Sequence, residues 1–190
     1  MEKTDIRIQF TQKALQDGLV SLMKEKSILR ISTREVCERA GLSRSTFYTY
    51  YNNQYDLLRQ IENQTLVEAE KTLQPYIGVV RKSNGRETIA LLQAVLQYIV
   101  SNNNSIQVLL SKNGDSTFQL RFFRKGIEVM WRFTEAAGIK VQDKEVARYS
   151  PVFLLGGILS LVQEWLQNGM DIPVPELAKM LARLTQDALR

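Results

Sequence analysis

The sequence predicts an all-α protein built from two parts. Only four of its 190 residues are proline and ten are glycine, and 44% are hydrophobic, enough to bury a sizeable core. Apolar residues recur at helical spacing along most of the chain, whereas the alternation typical of strands is scarce. We expect about nine helices, with an N-terminal three-helix domain at 1–58 and a C-terminal helical domain at 59–190.

The first predicted helix covers residues 4–26. Polar residues separate its apolar ones, so that the apolar side chains fall on one stripe that faces a core. The residues of this stripe are Phe10, Ala14, Leu15, Leu19, Leu22 and Met23. Residues 27–32 form a connector, in which Ile28, Leu29 and Ile31 are expected to pack onto the core.

The segment 32–51 predicts two short helices joined by a tight turn, a helix-turn-helix motif. Ser32 or Thr33 is placed to cap the first helix. Gly41 supplies a position where positive φ is easily adopted, which lets the chain turn sharply. Ser43 can then cap the second helix through its hydroxyl.

The second helix of the motif has a core face and a solvent face. Phe47 and Tyr51 lie four residues apart on the core face. Basic and hydroxyl side chains lie on the other face, as in a helix that reads the DNA major groove. These outward residues are Arg44, Ser45, Thr46 and Tyr48. An ordinary helix-turn-helix corner of an all-α protein is the alternative.

The remaining elements follow from helical periodicity and from breaker residues. A long helix is predicted at 54–74, and Pro75 ends or kinks it. Loop signals occur at 82–85 and at 138–142. Further helices are predicted at 86–103, 105–112, 116–138, 143–169 and 174–189.

The composition narrows the possible functions. The net charge is +5, and residues 1–60 contain ten Lys or Arg and seven Asp or Glu, which is compatible with nucleic acid. The sequence has no histidine, so a Ser-His-Asp or Cys-His nucleophile is excluded. With one cysteine, a structural zinc site is not expected either. We predict no catalytic residue, no metal and no cofactor, and therefore no enzyme.

The location of the protein is predicted from its cysteine content and its apolar runs. The single Cys37 fits a reducing cytosol and is expected to be buried and inert. The N-terminus lacks an apolar signal core, and the longest apolar run, 152–162, is short for a membrane span. These features predict a cytoplasmic protein that does not enter a membrane.

The last two helices predict a homodimer. The helix at 143–169 is apolar nearly all round, so more than one of its faces must be buried. Two such helices from each of two subunits would form a four-helix interface in which small residues allow close approach. A monomeric core is the alternative. The predicted interface residues are Phe153, Gly156, Gly157, Ser160, Trp165, Leu177, Leu181 and Leu184.

The middle helices carry the candidates for an effector site. The aromatic residues that are candidates for a ligand pocket are Tyr98, Phe118, Phe122 and Trp131. Plain core packing is the alternative for each of them. A possible basic stripe for an anionic effector consists of Arg121, Arg124, Lys125 and Arg132, with a solvated helix face as its alternative.

Residues 4–58 resemble the DNA-binding domain of TetR/AcrR-type bacterial transcriptional regulators. The matching residues are Thr33, Val36, Ala40-Gly41-Leu42-Ser43, Thr46-Phe47-Tyr48, Tyr51 and Leu57-Leu58. The segment 44–48 is most similar to the branch that contains activators of dihydroxyacetone kinase operons. The C-terminal part resembles the family in outline, through residues 156–158 and 165–169.

The resemblance implies a homodimer that binds a palindromic operator in double-stranded DNA and carries a sensor domain. It implies that Thr33 and Arg34 lie near a phosphate. It also implies that Arg44, Ser45 and Thr46 face the major groove, that Tyr48 and Tyr50 contact phosphates, and that Ser43 belongs to the DNA-binding set. Gln54 departs from the family, where lysine is common at this position. A glutamine can still bind a phosphate, but we expect a salt slope smaller by about one counterion per subunit.

Three functions follow from these observations. The leading hypothesis is a DNA-binding transcriptional regulator, a repressor that a small-molecule effector releases from DNA. The second is a DNA-binding co-activator whose C-terminal domain binds a protein partner. The third and most remote is an all-α enzyme.

Overall fold

The computed structural model describes residues 2–76, 86–136 and 143–187, and within these ranges the chain is helical and has no strand. Single 3-10 turns cover Ile28–Arg30 and Gln74–Tyr76. The predicted all-α class is confirmed. The described ranges contain α1 (Glu2–Glu25), α2 (Thr33–Ala40), α3 (Arg44–Tyr50), α4 (Gln54–Leu73), α5 (Arg86–Ser101), α6 (Asn103–Leu109), α7 (Ser116–Ala136), α8 (Lys144–Gln167) and α9 (Val174–Asp187).

The predicted helices are present with small differences at their ends. The largest difference is in α6, which was expected at 105–112 and occupies Asn103–Leu109. Pro75 lies in the 3-10 turn that follows α4, as expected for a residue that stops a helix. The predicted loops at 82–85 and 138–142 lie outside the described residues, as do the last predicted residues of α7 and α9.

Backbone contacts divide the chain into two compact units. The first unit comprises Met1–Thr65 and Asn104–Gln119, and the second comprises Leu66–Asn103 and Leu120–Arg190. The domain boundary between 58 and 59 stays a prediction. The new finding is that nearly all of α6 belongs to the same unit as α1, α2 and α3.

The interior of the first unit is formed by α2 and by the predicted stripe of α1 from Leu15 onwards. Phe10, which was also expected to face the core, is 73% exposed, so this part of the prediction is wrong. Leu15, Leu19 and Met23 are fully buried. Gly18 allows the two backbones to approach closely, because a Cβ at this position would lie 3.3 Å from the Cβ of Ala40. This close contact fixes α2, the first helix of the predicted motif, against α1.

The connector after α1 corrects one expectation. Ile28 and Ile31 are buried, but Leu29 is 78% exposed, so the prediction that Leu29 packs onto the core is wrong. The connector contains a 3-10 turn, Ile28–Arg30, whose tight winding directs neighbouring side chains to different sides. The turn therefore places Ile28 inside and Leu29 in solvent.

The end of α1 is held by α6 and by the loop that follows it. The Asn113 side-chain amide donates to the carbonyl of Met23 at 3.0 Å, and Lys24 Nζ donates to Asn104 Oδ1 at 2.6 Å. Gly114 is required in this loop, since a Cβ would lie 2.3 Å from the carbonyl oxygen of Leu109. These contacts explain why residues 104–119 belong to the first unit.

The second unit has its core between α5, α8 and α9. Leu96, Leu177 and Leu181 are almost fully buried. Trp165 is also buried, and its indole N–H donates to the carbonyl of Ile172 at 2.8 Å. At Gly126, α7 and α8 pack tightly, because a Cβ there would lie 2.7 Å from Leu155 Cδ2.

One helix of the described residues, α8, is long and apolar enough to cross a membrane by length and composition. Core helices of soluble proteins meet the same criterion, so the property is weak evidence for a membrane span. Only 17% of its most apolar window is buried within the chain. Much of this apolar surface is therefore not buried within the single chain.

Candidate nucleic-acid interface

The start of α2 is fixed by a capping box. Ser32 Oγ accepts a hydrogen bond from the Glu35 backbone N–H at 3.3 Å, and the Glu35 carboxylate accepts one from the Ser32 N–H at 2.9 Å. The second carboxylate oxygen of Glu35 accepts a hydrogen bond from Lys26. Lys26, followed by Ser32, lowers the pKa of Glu35 to about 2. Ser32 is therefore the cap, and Thr33 is the first helical residue.

The turn between α2 and α3 has the conformation that its glycine predicts. Gly41 has φ +66°, the left-handed conformation that side chains rarely adopt. The Leu42 N–H donates to the carbonyl of Cys37 at 3.0 Å and closes the turn. Cys37 is buried, and burial raises the pKa of its thiol, which suits the inert role predicted for it.

The second motif helix, α3, is capped at one end and anchored along one side. Ser43 Oγ accepts from the Thr46 N–H at 3.0 Å and lies 2.8 Å from Thr46 Oγ1. Phe47 is fully buried, Tyr51 is nearly so, and the centroids of their rings are 5.6 Å apart. The two aromatic residues thus fix which side of α3 faces solvent.

The outward face of α3 combines one cation with hydroxyl groups. Arg44 and Ser45 are exposed, and Tyr48 is 51% exposed. A guanidinium nitrogen of Arg44 lies 3.5 Å from the Tyr48 hydroxyl. No carboxylate occurs on this seven-residue helix, so nothing on it repels phosphate. Arginine can bond two acceptors of guanine in the major groove, and a tyrosine hydroxyl can donate to a phosphate.

Three further residues of α3 differ in their availability. Thr46 and Tyr50, both predicted to contact DNA, are half-buried. Thr49 is exposed and was missed by the sequence analysis. Its hydroxyl donates to the carbonyl of Ser45 at 3.1 Å, so it lies on the same outward side. The spacing of four residues from Ser45 is the signal that could have identified it.

The two residues predicted to contact phosphate at the start of α2 both have partners within the chain. Thr33 is 9% exposed, and its hydroxyl donates to Gln54 Oε1 at 3.1 Å. Arg34 is exposed and donates through Nε to Glu38 at 2.7 Å. Arg34 can reach solvent, whereas the Thr33 hydroxyl is already engaged with the first residue of α4.

The pocket candidates are divided between the two units. Phe118 is buried in the first unit, whereas Tyr98, Phe122 and Trp131 belong to the second. The Tyr98 hydroxyl donates to Glu68 at 3.4 Å, and its pKa is raised by burial and then by the Glu68 charge. Trp131 is 41% exposed. A role of these residues in effector binding stays a prediction.

The basic residues of α7 are partly neutralised. Lys125 Nζ and an Arg132 guanidinium nitrogen each lie 3.3 Å from the same carboxylate oxygen of Glu70. Lys125 also lies 3.5 Å from Glu128. These ion pairs favour the solvated helix face over a basic stripe that holds an anion.

The predicted dimer residues fall into two groups. Trp165, Leu177 and Leu181 are buried within their own chain and leave little of their surface for a second subunit, and their place in the interface stays a prediction. Gly156 is half-buried, and the remaining four, Phe153, Gly157, Ser160 and Leu184, are exposed. A Cβ at either glycine would meet no atom within 4 Å, which leaves room for another chain.

The rest of α8 extends this exposed group. Val146, Tyr149 and Val152 are also exposed, and Phe153 reaches 73%. Their spacing of three and four residues puts Val146, Tyr149 and Phe153 on one side of the helix. Burying such a stripe is favourable, at about 25 cal/mol per Å² of apolar surface.

The described ranges contain no group of three or more His, Cys, Asp or Glu residues that could hold a metal ion. The helix-turn-helix motif and its flanks are therefore the best-defined candidate site in this part of the chain.

Comparison with known proteins agrees with this architecture. Residues 16–61 match the family described as bacterial regulatory proteins, tetR family, and residues 87–187 match the transcriptional regulator C-terminal region. The second match alone spans more than half of the chain. A search of curated proteins found no match.

Solved structures of other regulators have the same fold. A TetR transcriptional regulator from Streptococcus agalactiae 2603V is 25% identical, with 97% of this chain and 98% of that one covered and a TM-score of 0.64. NalD, the secondary repressor of the MexAB-OprM multidrug efflux pump in Pseudomonas aeruginosa, is 18% identical, with 94% and 96% covered and a TM-score of 0.73. The dihydroxyacetone kinase operon activator DhaS is 18% identical, with 94% and 96% covered and a TM-score of 0.62. The chain is thus a DNA-binding transcriptional regulator and belongs to the TetR family.

Proposed function

We propose that this regulator is a homodimeric repressor that binds a palindromic operator and leaves it when a small-molecule effector binds. The observation that carries the proposal is the outward face of α3, with Arg44, Ser45 and Tyr48 on a helix anchored by Phe47. The repressor NalD has a similar fold and supports the sign of regulation. We further propose that it acts in the cytoplasm and that it has no catalytic activity.

The exposed side of α8 supports the dimer. Phe153 and Leu184 are exposed apolar residues on α8 and α9, and Gly157 offers space for a second backbone. Two reading heads in a twofold dimer match a palindrome whose half-sites are about 34–36 Å apart, one turn of DNA, or somewhat more.

Polar groups among the half-buried residues of the second unit support the proposal of an effector site there. Tyr98 and Glu68 form a hydrogen bond among half-buried groups, and Phe122 is half-buried on α7. A small number of polar groups among apolar ones is typical of pockets that bind small molecules.

The test begins with selection of duplexes from a random library by the full chain, followed by fluorescence anisotropy. We expect an inverted repeat and binding that weakens steeply with salt. A folded dimer that binds every duplex equally at low salt contradicts the proposal. A reporter gene placed behind the selected site then decides the sign, because a co-activator raises expression where a repressor lowers it.

A further inference from the structure

The starts of α2 and α4 are tied by one hydrogen bond between side chains far apart in sequence. Thr33 is the first residue of α2 and Gln54 is the first residue of α4. The Thr33 hydroxyl donates to Gln54 Oε1 at 3.1 Å. Thr33 is buried, while Gln54 is half-buried and so still reaches solvent.

This bond fixes the orientation of the glutamine amide. A glutamine side chain has one acceptor oxygen and one NH2 group with two donor hydrogens. The oxygen and the NH2 group lie in the amide plane, on opposite sides of the line of the Cγ–Cδ bond. Because the oxygen faces the buried Thr33 hydroxyl, the NH2 group of Gln54 is directed away from Thr33. The glutamine therefore presents donors, not its acceptor, on its free side.

The surroundings of Gln54 favour an anion near these donors. Gln54 opens α4, a helix of 20 residues, whose N-terminus carries partial positive charge. The nearest carboxylate in sequence, Asp56, accepts hydrogen bonds from the backbone N–H and the side chain of Asn52, at 3.1 and 3.0 Å. These two bonds hold the Asp56 carboxylate against Asn52.

A neutral donor needs orientation more than a charged one does. A lysine attracts phosphate as a point charge from any rotamer, whereas an amide must aim its NH2 group at the phosphate. In this chain, the hydrogen bond from Thr33 holds the Gln54 amide in one orientation.

We propose that Thr33 is a positioning residue that orients Gln54, and that the Gln54 NH2 group donates to a DNA backbone phosphate. Thr33 itself then makes no direct contact with DNA. This inference rests on the proposed function, since it requires that the chain bind DNA through the helix-turn-helix unit.

A double-mutant cycle tests the inference. The variants are Thr33→Val, Gln54→Ala and the two combined, and the probes are a duplex selected by the wild-type chain and a scrambled duplex of equal length. We expect Thr33→Val to weaken binding about fivefold and Gln54→Ala about tenfold per dimer. In the Gln54→Ala background, Thr33→Val should have no further effect. Both probes should respond alike, because a phosphate carries no sequence information.

Thr72→Val serves as the matched control. It makes the same chemical change, the loss of a threonine hydroxyl, at a position about 27 Å along α4 from Gln54. The Thr72 hydroxyl donates to the Glu68 carbonyl at 2.9 Å. This variant should leave DNA affinity unchanged. Gln54→Lys should restore binding to Thr33→Val and should steepen the salt slope by about two counterions per dimer.

The outcomes separate this inference from the proposed function. Equal effects of Thr33→Val with and without Gln54 would mean that Thr33 contacts DNA directly, and would overturn the inference. Wild-type affinity of Gln54→Ala would overturn it as well, even if Thr33→Val fails to fold. Absence of any selected duplex for the wild-type chain would instead refute the proposed function.

Discussion

The helix-turn-helix motif and α8 are of similar length but differ in what determines their structure. Between residues 32 and 51, the caps and the turn involve residues within five positions of one another. In α8, the apolar residues surround the helix, and their roles depend on α5, α7 and α9 or on a second subunit. Short sequence patterns predict local interactions. They do not predict which apolar residues of a helix belong to the core and which to an interface.

Two phenylalanines, one on α3 and one on α8, differ in their exposure to solvent. Phe47 on α3 is fully buried, and Phe153 on α8 is 73% exposed. Both are apolar residues at helical spacing, and only the packing of the surrounding chain distinguishes them. The variants below are arranged to test this contrast, from the largest expected effect to the smallest.

Truncation of the α3 anchor should have the largest effect on stability. We expect Phe47→Ala to lower the free energy of unfolding by about 3–5 kcal/mol, because it leaves a cavity in the first unit. Urea denaturation followed by circular dichroism measures the change. Phe153→Ala is the matched control, studied at concentrations where the chain is monomeric. A similar loss for both variants would contradict the burial described for them.

A charge on the exposed side of α8 should break the dimer. Phe153→Glu places a carboxylate in the proposed interface twice, once per subunit, and should weaken association by about 2 kcal/mol per copy. Sedimentation velocity measures the shift from dimer to monomer. Leu120→Glu, at an apolar residue of α7 that is also exposed, should stay dimeric. A Phe153→Glu variant that remains dimeric would place the interface elsewhere.

Release of Arg34 should raise DNA affinity. Arg34 is held by Glu38 at 2.7 Å, and this carboxylate competes with a phosphate for the guanidinium. We expect Glu38→Gln to tighten binding about threefold, with the gain shrinking at high salt. Asp17→Asn removes the same charge from an exposed pair with Lys13, also at 2.7 Å, and is the control. Equal gains for both variants would indicate a general charge effect instead.

The capping box should make stability depend on pH. The pKa of Glu35 is lowered from 4.5 to about 2 in the folded protein, so the folded state favours the carboxylate. Its stabilisation is complete above pH 4.5 and is lost as the pH falls from 4.5 towards 2. We therefore expect the wild-type chain to lose more stability across this range than Glu35→Gln. Urea midpoints measured at several pH values should converge at the acidic end, and parallel curves would contradict the assignment.

Much of the first unit was predictable because its determinants are local. Ser32 or Thr33 was expected to cap α2, Ser43 was expected to cap α3, and Gly41 was expected in the turn, because residues of these types satisfy nearby backbone groups. Phe47 and Tyr51 were assigned to the core from their spacing alone. Once these two residues were assigned to the core, the residues on the opposite side of α3 were expected to face solvent.

The contacts that were missed join distant parts of the chain. Trp165, Leu177 and Leu181 were expected at the interface and are buried within the second unit of their own chain, which helical periodicity alone does not predict. The bond from Thr33 to Gln54 spans 21 residues and joins two helix starts. The family resemblance implied that both residues lie near DNA, but only the packing of α2 and α4 shows that they bond each other.

The central claim is that the outward face of α3 reads DNA, and Arg44→Ala tests it most directly. Duplex selection is carried out with the wild-type chain and with this variant, and affinities are compared on selected and scrambled duplexes. The account predicts that the variant loses preference at one base pair in each half-site, at a cost of about 1–3 kcal/mol per contact, while its affinity for the scrambled duplex changes little. An unchanged selected sequence with undiminished discrimination would contradict it.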